Sequence, residues 1–222
     1  MKFSDYSHHL VIEGEMIIFD EVGDRYFLLD KLQAAQVLED LNFGGEVLSE
    51  ATLELEEKGV LVAGFHKGET RYSSEVVQAL DNHEWSTAFK FGLVEVGFSS
   101  VLRSMFVLFL IKILVGALGL HKVFRIIRKA KKINCGCRVD YKRLLEISSS
   151  MKKASMYIPF RSSCLEHSIG VVLISAMYGG GAVMRIGVKN YDFLAHAWVE
   201  KDGVVVGDDP CLTKALHVIF EI

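Results

Sequence analysis

The chain has 222 residues, half of them hydrophobic, enough to bury a core and to divide into two small domains. Its formal net charge of −3 excludes a global pull toward nucleic acid or an anionic membrane and leaves such attraction to local patches. Met1-Lys2-Phe3-Ser4-Asp5 turns polar at once without the apolar core of a secretory signal, so the expected compartment is the cytoplasm and the four cysteines are expected as reduced thiols.

Residues 1–65 read as a compact strand-then-helix module. His8–Ile12, Glu15–Phe19 and Arg25–Leu29 have strand character and are separated by turn signals at Glu13-Gly14 and Gly23-Asp24. Lys31–Leu41 carries Leu32, Ala35, Val37, Leu38 and Leu41 at roughly helical spacing, and Gly44-Gly45 ends it. A second helix is expected to run to about Lys58 and stop at Gly59, followed by a short strand, Val60–Ala63. A DNA-reading helix should be basic, but this one holds Glu46, Glu50, Glu54, Glu56 and Glu57, so nucleic acid is not the expected partner.

The order of elements resembles the small winged-helix-like (PqqD-like) domains that recognise leader peptides in ribosomal peptide biosynthesis. The resemblance implies β-augmentation, in which a peptide adds a strand to an exposed sheet edge. The strand Arg25, Tyr26, Phe27, Leu28 and Leu29 is the candidate leader-binding edge.

Residues 66–87 are polar and mixed and read as a linker, with a second domain over 88–222. Met105–Leu120 is almost wholly apolar but falls short of a membrane span and carries Lys112, so a buried helix of the second domain is expected. Lys122–Lys132 then concentrates Lys122, Arg125, Arg128, Lys129, Lys131 and Lys132. A solvated basic face, a dock for an acidic partner and peripheral membrane contact all fit that run. Cys135-Gly-Cys137 is too closely spaced for a usual zinc pair and has no second pair to complete four ligands, so no metal is expected.

The chemistry lies in the C-terminal third. Leu165, Ile169, Val172 and Leu173 repeat at helical spacing after Ser162-Ser163, which supplies an N-cap, and Gly179-Gly180-Gly181 ends the helix. Cys164 thereby falls in the first turn, where free N–H groups and the helix dipole favour a thiolate. Phe193–Glu200 reads as a strand and Asp202-Gly203 as a hairpin turn, with Val204–Asp208 returning. A three-residue turn would set His196 opposite Asp208, and a two-residue turn would set it opposite Asp209. Either carboxylate would orient the imidazole in triad fashion. His167 lies on the nucleophile's own helix, where a substrate would rarely enter between the two, and is not the expected base.

Cys164-Leu-x-x-Ser168, His196-Ala-Trp-Val-Glu200 and Gly207-Asp-Asp-Pro210 together resemble the transglutaminase-like cysteine peptidases that process lasso-peptide precursors, as does the tail Leu216–Ile222. The resemblance implies an α+β protein in which a leader-recognition module is fused to a papain- or transglutaminase-like peptidase domain. It implies Cys164 as nucleophile, His196 as base and Asp208, rather than Asp209, as orienting acid. It further implies a precursor-peptide leader as substrate and an asparagine-synthetase-like cyclase as partner. ATP would be used by that cyclase and no cofactor by this chain. The glutamine with which papain-like enzymes hold the oxyanion has no counterpart, since Gln33, Gln36 and Gln78 are the only glutamines. The Cys164 backbone N–H and the Trp198 indole are the expected substitutes. An acyltransferase using the same triad and a non-catalytic leader chaperone are the alternative functions.

Overall fold

The computed structural model describes residues 1–43, 47–64, 70–73, 94–133, 139–160 and 162–222. It is a mixed α/β chain in two compact units, Met1–Val76 with Asn190–Asp192, and Val77–Lys189 with Phe193–Ile222.

In the first unit, β1 (Lys2–Phe3) pairs with β5 (Leu61–Val62). A separate sheet runs β4-β3-β2-β6, with β2 at Ser7–Ile12, β3 at Glu15–Asp20, β4 at Arg25–Leu29 and β6 at Tyr72–Ser73. The β2–β3 turn places Glu13 and Gly14 at φ 52° and 89°, the left-handed pair that matches strand twist. Helix α1 (Lys31–Phe43) opens on a reciprocal cap: Gln33 N donates to Asp30 Oδ1, and Asp30 N donates to Gln33 Oε1. Helix α2 (Glu50–Glu57) is capped by Ser49 and followed by Gly59 at φ 73°. One carboxylate, Asp40 on α1, accepts from Ser49 N, Ser49 Oγ and Thr52 Oγ1, joining the two helices. Burial pushes the Asp40 pKa up, but these donors outweigh it and hold the pKa below the ordinary value. Met16, Ile18, Val37, Leu55, Val60 and Leu61 form the core between sheet and helices.

Two expectations are revised here. The span read as a linker contributes a strand, because Tyr72–Ser73 pairs in parallel with Val11–Ile12. Most of the rest of 66–87 lies outside the described residues, as do Glu46, Cys135 and Cys137. The second helix starts at Glu50, where Ser49 can cap it.

The second unit places helices against one antiparallel sheet of order β10-β7-β8-β9. These strands are β7 (Ala182–Lys189), β8 (Leu194–Lys201), β9 (Val204–Val205) and β10 (His217–Glu221). The helices are α3 (Phe98–Leu118), α4 (Leu120–Ile133), α5 (Tyr141–Ser155), α6 (Cys164–Met177) and the short α7 (Leu212–Ala215). Helix α6 lies on β7 and β8 and is backed by α3, α4 and α5. Gly187 on β7 leaves room for the buried Trp198 ring, since a Cβ there would sit 2.6 Å from its Cζ3. The apolar helix departs from the expectation of a buried element. Only Val101, Ser104, Leu108 and Ile111 of α3 are buried, while Leu102, Phe106, Phe109 and Ile113 face outward.

Candidate active site

Cys164 is the first residue of α6. Ser163 Oγ accepts from Glu166 N, and Glu166 Oε2 returns the bond to Ser163 N at 2.8 Å, so a complete capping box fixes where the helix begins. The other carboxylate oxygen of Glu166 takes Lys112 Nζ at 2.8 Å, which pins the same cap to α3. Cys164 is exposed, as a residue meeting a peptide must be. From the sheet side, β8 presents His196, hydrogen-bonded to Cys164 and, through Nε2, to Asp208 Oδ2 at 3.0 Å. Both His196 and Asp208 are largely shielded from water.

Electrostatics bind these three groups into one unit. Although Cys164 is exposed at the surface, the protein packed around it desolvates the thiol and pushes it up, but the His196 hydrogen bond and charge outweigh that, helped by the backbone N–H groups of Ala197 and Leu165; the net pKa falls. Burial pulls His196 down, yet Asp208 and Cys164 raise it to about 9. Asp208 is raised by burial and lowered further by His196, the Asp209 N–H and Lys152, ending below its ordinary value. The balance favours a thiolate–imidazolium pair with a carboxylate behind it.

Asp208 reaches His196 by a route different from the one expected. The hairpin pairs Glu200 with Val205 and Lys201 with Val204, a two-residue turn with Asp202 and Gly203 at φ 50° and 81°. Continued as a regular ladder, that register would set His196 opposite Asp209. The ladder stops instead: Gly207 takes φ 65°, against Ser148 of α5, and redirects the chain so that Asp208 meets the imidazole. Asp209 is buried and caps the next turn, accepting from Cys211 N at 2.8 Å.

Trp198 requires a correction. Its ring is buried and its indole N–H is donated to Glu200 Oε1 at 2.7 Å, so it has no donor left for an oxyanion. The ring instead stacks beside His196 at a centroid separation of 6.5 Å. His167 turns to Ser148 Oγ at 3.3 Å; burial and the nearby Lys152 charge push it down to about 4, leaving it neutral near pH 7.

Two residues here were given no role of their own from the sequence. Lys152 of α5 is buried, donates to the Gly207 carbonyl and lies near enough to Asp208 to lower its pKa. Ser168 Oγ donates to the Ala197 carbonyl at 3.0 Å. Ser168 was visible as part of a pattern, whereas Lys152 sits in an ordinary Met-Lys-Lys-Ala stretch with no signal of its burial. Among the described residues no group of three or more His, Cys, Asp or Glu side chains has the spacing to hold a metal.

Arg25–Leu29 forms β4, which pairs with β3 on one side and ends the sheet among the described residues. Arg25 and Leu28 are exposed, Tyr26 and Phe27 half-buried and Leu29 buried. Arg25 and Lys58 both lie over the Phe27 ring, 5.1 and 5.2 Å from its centroid.

The sequence profile of the transglutaminase-like superfamily matches residues 107–221, a span that contains Cys164, His196 and Asp208. The chain belongs to that superfamily. It is also 38% identical over 63 residues to the microcin J25-processing protein McjB of Escherichia coli. The matched stretch spans 28% of this chain and 30% of that relative. No solved structure matches the chain.

Proposed function

We propose that this transglutaminase-like protein is a cysteine peptidase that releases the leader from a ribosomal lasso-peptide precursor. The observation that carries the reading is His196, hydrogen-bonded to Cys164 while its Nε2 meets Asp208 at 3.0 Å. The partial likeness to a protein named for processing microcin J25 supplies the substrate class.

In this reading the leader lies along β4 as an added strand, and the leader–core junction enters the site beside Cys164. The thiolate attacks the scissile carbonyl, forming a carbon–sulfur bond while the carbonyl oxygen takes up negative charge. Backbone N–H groups at the start of α6, Cys164's own among them, are the donors suited to that oxyanion. His196, already protonated, delivers its proton to the departing amine as the peptide bond breaks. The neutral imidazole then takes a proton from water as the water oxygen bonds to the acyl carbon; the carbon–sulfur bond breaks, the leader leaves as an acid, and the thiolate–imidazolium pair is restored. Asp208 stays ionised throughout and holds the imidazole in orientation. No cofactor enters these steps. ATP belongs to an asparagine-synthetase-like cyclase that closes the macrolactam on the freed core amine.

The test uses a precursor peptide encoded beside this gene, incubated with the full chain and followed by mass spectrometry. A free leader fragment that depends on Cys164 is the expected result. An amine adduct without that fragment would make the protein an acyltransferase. Normal leader release by Cys164→Ala would reduce it to a chaperone and overturn the peptidase.

A further inference from the structure

The outer face of α3 has no role in the peptidase reading. Leu102, Phe106, Phe109 and Ile113 lie three or four residues apart and are each at least half exposed, forming an apolar strip along a 21-residue helix. Beside the strip, between α3, α5 and α6, a mainly apolar recess of about 650 Å³ is lined by residues that include Phe106, Leu110, Ile174 and Met177, with two cations, Arg103 and Arg143, and two carboxylates, Glu95 and Glu146, also on its wall. A lone exposed Leu needs no explanation, but a continuous strip next to an apolar recess does.

Charge identifies what covers it. Between Glu95 and Asp140 the sequence has no acidic residue, although the chain as a whole is net negative. Both ionic side chains on α3, Arg103 and Lys112, are cationic and exposed. Helix α4 begins two residues after α3 ends and turns Lys122, Arg125, Lys129 and Lys132 to solvent, with Ile126 among them. Its inner residues Val123, Phe124 and Ile127 are buried, so this amphipathic helix is fixed to the fold by one face and cationic on the other.

We infer that α3 and α4 dock the protein in the plane of an anionic lipid bilayer, α3 giving the apolar contact and α4 the cations. Helices that lie in an interface combine these two properties. A membrane-spanning α3 fits poorly, although its length and composition suffice. Ser104 Oγ is hydrogen-bonded to Ser150 of α5 at 2.8 Å and Lys112 is paired with Glu166 of α6, so a span would strip α3 from the fold and bury Lys112 in lipid. The surface shares no residue with the triad, and the inference stands or falls apart from the peptidase reading.

The experiment is sedimentation of the full chain with vesicles of phosphatidylcholine alone or with about one quarter phosphatidylglycerol. We expect binding to the anionic vesicles at least about tenfold stronger than to the neutral ones, falling steeply with salt. Leu102→Ser with Phe106→Ser should lower binding about tenfold or more. Lys122→Glu, Lys129→Glu and Lys132→Glu together should lower it by on the order of a hundredfold on the anionic vesicles only. Site-resolved alkylation of Cys164 checks that each variant is folded and should be unchanged. No binding to anionic vesicles, or equal binding to both lipids, overturns the inference. So does a concentration-dependent dimer, seen by light scattering, that the Leu102 and Phe106 changes dissolve while vesicle binding persists, since a second copy would then be the occupant.

Discussion

Replacing Asp208 by Asn removes a charge and leaves the shape. His196 keeps its proton up to about 9 against an ordinary 6.5, which corresponds to about 3 kcal/mol in favour of the charged ring. Burial opposes that preference, so Asp208 and Cys164 together supply more than the net. With Asp208 neutral, burial is opposed by Cys164 alone. The alkaline limb of Cys164 reactivity should therefore fall from near 9 by about one pH unit or more. Leader release should drop by on the order of 10²- to 10⁴-fold. The stability sign follows from the raised pKa: the His196 contribution is complete below 6.5 and is lost as pH rises through about 9. The wild type should lose more stability than Asp208→Asn over that window. The assay is the initial rate of iodoacetamide alkylation at Cys164, resolved by peptide mass spectrometry across the pH range, with denaturant melts in parallel. Because thiol and imidazole titrate as a pair, the limbs belong to the pair. Coincident alkaline limbs in wild type and variant would refute the claim that Asp208 holds the imidazolium.

Two further changes probe what places these groups and what brings the substrate. Gly207→Ala puts a Cβ on a residue at φ 65° and within 2.6 Å of Ser148 Oγ. It should cost about 1–2 kcal/mol of stability, read as a lower melting temperature, and shift the alkaline limb as Asp208→Asn does. A variant that melts lower with an unmoved limb would make Gly207 a folding residue only. Leu28→Asp alters an exposed position of β4. It should weaken binding of a labelled leader about tenfold in fluorescence polarisation without changing Cys164 alkylation; unchanged affinity removes β4 from leader recognition.

Much of the fold was legible because local signals and tertiary structure agree. Arg25–Leu29 is a strand with the expected bounds, and the Asp202-Gly203 turn has the φ values its residue types favour. The start of α6 was visible in Ser162-Ser163, either of which could cap it, and Ser163 is the one that does. Contacts between distant residues were hidden. No local pattern pairs Lys2–Phe3 with Leu61–Val62, or adds Tyr72–Ser73 to β2. The carboxylate beside His196 shows the limit best. Counting residues through an ideal hairpin depends on the turn, and the observed turn points to Asp209. Gly207, set against Ser148, 59 residues earlier in the chain, brings Asp208 in instead. Helix α3 misled for the opposite reason: its composition suits a core, but apolar content alone does not reveal which side has a partner.

The backbone of Ala197 links the two halves of the chemistry. Its N–H lies against the Cys164 sulfur, and its carbonyl accepts the Ser168 hydroxyl one helical turn further along α6. The strand that carries the imidazole is thus stitched to the helix that carries the thiol at two points, each joining a main-chain atom of Ala197 to a side chain of α6, the Cys164 sulfur and the Ser168 hydroxyl. On the strand side the spacing between sulfur and ring is then held by one peptide unit, a ruler with little play, and on the helix side by two short side chains one turn apart. Side chains around the site can vary in size and charge while that ruler stays the same length. Drift in the surrounding sequence would therefore alter which peptide is accepted well before it moved the reacting atoms apart.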